Sequence, residues 1–362
     1  APAPAGMLHL AGTDADLRLV PVEALARAYR RVLLEEGPQV LNTGNPRGHA
    51  RLRGALAEML RATRAVAAEP DAMIVTRGSQ MALYLAARAL VRPGDVVAIE
   101  ALGYRPAWEA FQAAGARLVP VPVDAQGLDV AALARVPDVR VVYLTPHHHY
   151  PTTVTLSPGR RLQLLELAAA RGFTIVEDDY DNEFHYDGRP VLPLASADPG
   201  VVYVGTLSKI LAPGLRLGFV SAPAELVTRM AEIRRGVDGQ GDHAVECAVA
   251  SLLADREVQR HAHRMRRAYM ARRAALVSAL QRHLPGALGC QPPAGGMALW
   301  ALADAGIDLK AWVRRGLEAG VSFGRARPFA FEGPEPHAFR LGFAALAPEE
   351  LEEAVKRMAA CL

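Results

Sequence analysis

Lys209 stands where a lysine could become reactive. The apolar run VVYVG (201–205) reads as a buried strand, and the turn TLSK follows at once. Pro213-Gly214 then leads into a second apolar run, LRLGFV (215–220), with Arg216 near its start. This pattern predicts strand–turn–strand, with Lys209 at a strand end. Desolvation and nearby positive charge lower a lysine's pKa and free its amine for Schiff-base formation. The planar fork of an arginine suits a phosphate dianion because it binds two oxygens at once. A reactive lysine beside a phosphate seat points to pyridoxal phosphate, whereas the same lysine taken alone could equally sit on a surface hairpin.

Other polar residues fall at strand ends as well. Arg77-Gly78-Ser79-Gln80 follows the run AMIVT and precedes a helical pattern. A Gly-Ser turn there offers open backbone N–H groups at a positive helix end, and a plain N-cap explains it equally well. Tyr104 follows VVAIE and could stack on a flat ring or simply pack in the core. In FTIVEDDYDNEF (173–184), five acidic residues occupy seven positions at the end of a buried strand, which is costly unless a cation is near. Asp178 facing a protonated pyridine nitrogen would meet that need, and Tyr180 could donate to a phenolate oxygen. His147-His148-His149 brings a metal to mind, but contiguous strand residues alternate faces, so at most two could share an ion and no metal site is expected. Neither GxGxxG after a strand nor GxxxxGK[ST] occurs, which argues against a dinucleotide fold and a P-loop.

These residues need a scaffold. Strand-like runs at 72–75, 96–99, 117–121, 139–145, 173–177, 201–205 and 217–221 alternate with amphipathic stretches at 80–91, 105–115 and 157–172. That alternation predicts an α/β fold with a mostly parallel seven-stranded sheet, covered by helices on both faces. The short connection at 206–216 implies that one of the last two strands runs antiparallel. Residues 46–245 are read as a large domain. Residues 1–45 and 246–362 are read as a smaller α+β domain with an interdomain helix, drawn from a helical region at 243–283 and strands at 297–302 and 339–344.

The 362 residues carry a net charge of +3, too small to argue for nucleic acid, and the basic stretch HAHRMRRAYMARR (261–273) reads as an exposed helix face. Three widely spaced cysteines form no disulfide framework, and no signal peptide or run of membrane-spanning length is present, which suggests the cytoplasm.

With these residues in view, the chain resembles the fold-type I pyridoxal-phosphate aminotransferases, and within them the aminotransferase-like domain of MocR/GabR-type regulators. EDDYDNEFHYDG, GTLSKILAPGLRLGFV and HRMRRAYMARR carry the likeness, and NPRGHARLRGALAEML, RPGDVVAIEALGY and FRLGFAAL agree in order and spacing. The resemblance implies that Lys209 binds pyridoxal 5'-phosphate covalently, that Asp178 pairs with the pyridine nitrogen, and that Tyr180 contacts the cofactor oxygen. It places Tyr104 on the ring, Gly78, Ser79, Gln80, Thr206 and Arg216 at the phosphate, His148 among the cofactor contacts, and Arg340 at the substrate carboxylate. It implies a homodimer with shared active sites that takes an amino acid and a 2-oxo acid; no membrane partner is expected, and no nucleic-acid partner of this chain alone.

Two departures stand out. Thr43 occupies a position where the family commonly has an aromatic residue, and the usual SHQ-aromatic-PTG run reads HHHYPTT, with Thr153 in place of a glycine. MocR-type regulators carry a winged helix-turn-helix before a linker. Its absence here favours an amino-group-transferring enzyme, while the linker-like APAPAG start favours an effector-sensing regulator domain.

Overall fold

All seven expected strands are present in the computed structural model, which describes residues 6–12 and 14–362. They are β1 (Met73–Thr76), β2 (Val96–Glu100), β3 (Arg117–Val121), β4 (Val139–Leu144), β5 (Thr174–Asp179), β6 (Val202–Thr206) and β7 (Gly218–Ser221), in the order β1-β7-β6-β5-β4-β2-β3. β7 pairs antiparallel with both β1 and β6, and the other pairs are parallel.

Side-chain alternation explains why the strands read as continuous apolar runs. Val142, Leu144 and Ile175 enter one core, beneath α1 (Val22–Val40), α2 (Ala50–Arg64), part of α5 (Pro158–Arg171) and α7 (His243–Ala254). Val141, Tyr143 and Val176 enter the opposite core, beneath α3 (Gly78–Leu90), α4 (Arg105–Ala113) and α6 (Ala224–Arg235). A sheet buried on both faces has no solvent side to make polar.

The helical region expected at 243–283 is two helices. Arg256, at φ 56°, ends α7's run and starts α8 (Glu257–His283) in a new direction. Val258 of α8 joins the core under the large sheet, while Met265, Tyr269 and Leu276 join a second core. That second core packs the sheet β8 (Leu288–Cys290), β9 (Ala298–Ala303), β10 (Gly324–Arg325) and β11 (Ala338–Gly342), in the order β8-β9-β11-β10, against α9 (Leu309–Glu318) and α10 (Pro348–Ala360).

Packing departs from the expected divisions at two places. α1, expected with the small domain, sends Ala28, Val32 and Val40 into the core of the large sheet. The basic stretch of α8 is not simply an exposed face: Arg272 is buried, 2.7 Å from Asp16, and Arg273 pairs with Asp187. The three cysteines form no disulfide, and no helix among the described residues is long and apolar enough to cross a membrane.

Candidate active site

A cavity of about 260 Å³ opens at the carboxyl ends of β4, β5 and β6, where ligands sit in open α/β sheets. Ser79, Gln80, Tyr104, Asp178, Tyr180, Thr206, Lys209 and Arg216, predicted from separate stretches of sequence, all line it.

One end is built largely from backbone. α3 begins at Gly78 with no side-chain cap from Arg77, so its first N–H groups are left for another acceptor. Gly78 has φ +76°, and a Cβ there would stand 3.1 Å from the Arg216 guanidinium. A Cβ on Gly218 would meet the Gly78 carbonyl carbon at 2.5 Å, so both glycines permit this close approach of β7 to α3. Arg216 itself is left-handed, at φ 51°, and donates to the Arg77 carbonyl at 3.1 Å. Thr206 Oγ1 donates to the Leu217 carbonyl and accepts the Ser208 N–H, each at 3.1 Å, which fixes the turn before Lys209. Ser208 Oγ is buried and has no hydrogen-bond partner among the described residues.

At the centre, Asp178 Oδ2 accepts the Tyr143 hydroxyl at 2.9 Å. Its Oδ1 is buried without a partner among the described residues. Burial pushes the Asp178 carboxyl up to about 7; the Tyr143 hydrogen bond opposes this, and the charges of Asp179 and Asp181 add to it. Lys209 is lowered by burial, with Asp14 opposing the shift and Arg340 reinforcing it. Gln80 Nε2 donates to the Tyr104 hydroxyl at 3.3 Å, and the Tyr104 ring meets Tyr150 edge-on at 5.5 Å.

The far end gathers Tyr150, Tyr180 and Arg340. Arg340 lies buried on β11, with its guanidinium 4.5 Å from the centre of the Tyr150 ring. Its Nε has no hydrogen-bond partner, and no carboxylate lies within ion-pair range of it among the described residues. Glu335, the acid nearest along the chain before β11, pairs with Arg325 at 3.2 Å. The Tyr180 hydroxyl donates to the His148 carbonyl at 3.0 Å, so its proton is directed at backbone here.

His148 departs from expectation. Its side chain does not line the cavity: Nδ1 lies 2.8 Å from Asp181 Oδ1, both groups are buried, and only the carbonyl reaches toward Tyr180. Asp181 is one of five acids in the 177–183 run, and each has its own neighbour. Glu177 accepts the Leu194 and Ala195 N–H groups, Asp179 accepts Tyr203 and Asn182, and Glu183 pairs with buried Arg64. Of the five, only Asp178 lines the cavity. Tyr143, Tyr150, Ser208 and Asp14 carried no site assignment from sequence. Tyr143 and Tyr150 stand beside quoted motifs, but a core tyrosine and a site tyrosine look alike until neighbours are known. Thr43, for its part, is exposed and, among the described residues, donates only to Asn42.

The model of the family "Aminotransferase class I and II" matches residues 11–358. The chain belongs to the class I and II aminotransferases. It is 31% identical to aromatic-amino-acid aminotransferase 1 of Thermococcus litoralis, over 98% of this chain and 87% of that protein. It is 33% identical to the probable rhizopine catabolism regulatory protein MocR of Rhizobium meliloti, over 86% of this chain but only 63% of the regulator. The crystal structure of LysN, an alpha-aminoadipate aminotransferase from Thermus thermophilus complexed with N-(5'-phosphopyridoxyl)-L-leucine, superimposes with a TM-score of 0.91. That match is at 31% identity and covers 99% of this chain and 92% of that one. Pyridoxal 5'-phosphate is therefore the cofactor, and transfer of an amino group between an amino acid and a 2-oxo acid is the activity. The residues present fit that cofactor: the unpartnered Asp178 Oδ1 suits a protonated pyridine nitrogen, and the uncapped start of α3 beside Ser208 and Arg216 suits a phosphate.

Proposed function

We propose that Lys209 is the residue that binds the cofactor covalently and that Arg340 takes the α-carboxylate of the amino acid. Supporting this, one cavity holds a desolvated lysine, a carboxylate with one unpartnered oxygen and an uncapped helix start, and a buried arginine without a carboxylate partner among the described residues lies behind its Tyr150 wall. When bound, pyridoxal phosphate supplies an electrophilic carbon for the amino group and a ring that withdraws electrons from the substrate Cα. Asp178 holds a proton on the pyridine nitrogen through a charge-assisted hydrogen bond, and Tyr143 orients the other carboxylate oxygen. The same charge on the ring relieves the cost of an ionised Asp178 in the core.

Lys209 has its pKa lowered, so its amine is available to move a proton at the substrate Cα. Ser79, Gln80, Thr206, Ser208 and Arg216 hold the phosphate, and Tyr104 covers the ring. Arg340 and Tyr150 fix the carboxylate and set the substrate's orientation before the proton moves. The active unit is a homodimer: α1 exposes Val22, Leu34 and the adjoining Leu41, at 63–75% of their surfaces, along the segment that leads to Thr43. The unpaired cysteines are compatible with a cytoplasmic protein.

The test is amino transfer from a panel of amino acids to 2-oxoglutarate, with the oligomer measured by light scattering. Turnover by the wild type that is lost in Lys209→Ala supports the assignment. A Lys209→Ala protein that keeps the cofactor's protein-bound absorbance and its turnover removes it.

A further inference from the structure

The loops after β4 and β5 bring His147, His148 and His185 together, with one ligating nitrogen of each within 4.8 Å of the others. All three are more than nine-tenths buried, at 2%, 1% and 6% exposure. Both nitrogens of His147, Nε2 of His148 and both nitrogens of His185 lack a hydrogen-bond partner among the described residues. His185 lies near the Asp187 backbone without reaching hydrogen-bond geometry. Leaving one buried polar group unsatisfied costs about 1–3 kcal/mol, so a cluster of them in one place calls for a ligand.

The chemistry of the donors is specific. Asp181 Oδ1 lies 2.8 Å from His148 Nδ1, which places the proton on Nδ1 and leaves Nε2 with its lone pair, the carboxylate–histidine arrangement that orients a metal ligand. Gly295 packs directly against this edge of the ring, where a Cβ would stand 2.2 Å from Nε2 and leave no room for any side chain. His185 also lines a surface cleft with Asn182 and His263, which gives an ion a way in.

We propose that His147, His148 and His185 form a binding site for a borderline divalent transition metal, of which zinc is the type, with water as fourth ligand. Three neutral imidazoles and an oxygen suit such an ion and not magnesium or calcium. Around tetrahedral zinc the ligand atoms stand roughly 3.4 Å apart; that closing requires His147 and His185 to rotate, and no hydrogen bond among the described residues opposes it. The ion would tie the loop that carries Tyr150 to the loop that carries Tyr180, just behind the amino-acid end of the cavity. The sequence reading allowed two of the contiguous histidines at most; the third comes from the other loop.

The test uses the chelator-treated, cofactor-loaded protein and zinc alone. Calorimetry and metal analysis after dialysis are expected to show one zinc per chain and a raised melting temperature. His147→Ala and His185→Ala are each expected to weaken binding at least tenfold and remove the thermal shift, whereas His263→Ala keeps both. Cobalt in place of zinc is expected to give the visible d–d bands of a nitrogen-rich tetrahedral site in the wild type. That spectrum decides the matter without variants, should either fail to fold. Absence of stoichiometric zinc and of the cobalt bands, or binding that survives both His→Ala changes, overturns the proposal.

Discussion

The two ends of the cavity are built differently. The proposed phosphate end is main chain: the start of α3, the left-handed Arg216, and two glycines that let β7 press against Gly78. The proposed carboxylate end is side chain on side chain, with Arg340 of the small sheet laid over Tyr150 from a loop of the large one. A backbone seat tolerates almost no added atom, whereas a guanidinium over a ring tolerates displacement but not loss of its planar shape. Errors at the first end should therefore release the cofactor, and errors at the second should spare the cofactor and release the substrate.

The largest effect belongs to the lysine between the ends. Lys209→Ala is expected to lower kcat/KM by at least about 10³-fold, roughly 4 kcal/mol of barrier, and to remove the cofactor's protein-bound visible absorbance. A variant that keeps both would place the covalent link elsewhere. Next, Gly78→Ala puts a methyl into a left-handed position facing Arg216, and cofactor affinity is expected to fall about tenfold, or roughly 1.4 kcal/mol, with KM for the amino acid little changed once cofactor saturates. Equal losses of cofactor and substrate affinity would erase the contrast between the ends.

Arg340→Lys should do the reverse. KM for the amino acid is expected to rise about tenfold or more while the cofactor's absorbance and the melting temperature stay put, because lysine keeps the charge but not the fork. A lowered melting temperature with unchanged KM would make Arg340 a structural residue. The smallest effect is a dependence on pH in the cofactor-free protein. Burial raises Asp178 from 3.8 to about 7, so the folded chain keeps a proton that the unfolded chain releases. The stability contributed by this group is full below about 4 and declines as pH rises toward 7. Asp178→Asn has no such group, so it should gain stability relative to wild type across that window and no further above it. Melting curves from about pH 4 to pH 8 check this, and a constant difference would mean that the carboxylate is already ionised.

What could be read in advance follows from the range of the interactions. The seven strands were legible because a sheet buried on both faces needs unbroken apolar runs; that one of the last two strands runs antiparallel was legible because the 206–216 connection is too short for a crossover, and the structure shows it to be β7. Gly78-Ser79-Gln80 and Thr206 to Arg216 could be singled out because each is a contiguous segment whose local geometry is nearly complete in itself, and the structure brings Ser79, Gln80, Thr206 and Arg216 to one cavity. His148 misled, since nothing along the chain says that Asp181 would turn its imidazole away from the cavity. The helix break at Arg256 was hidden inside a continuous helical pattern, because a single left-handed residue leaves the pattern on either side intact.

By itself, then, the sequence determined the layered α/β scaffold, the strand ends that carry Asp178 and Lys209, and the two polar segments that meet at one end of the cavity, all of them properties of near neighbours or of simple periodicity. Only the tertiary structure decided which buried group meets which. It put Tyr143 on Asp178, Tyr150 beneath Arg340, Asp16 on Arg272 and His185 beside His147 and His148. Those pairings join residues far apart along the chain, and the packing that selects them depends on every element at once.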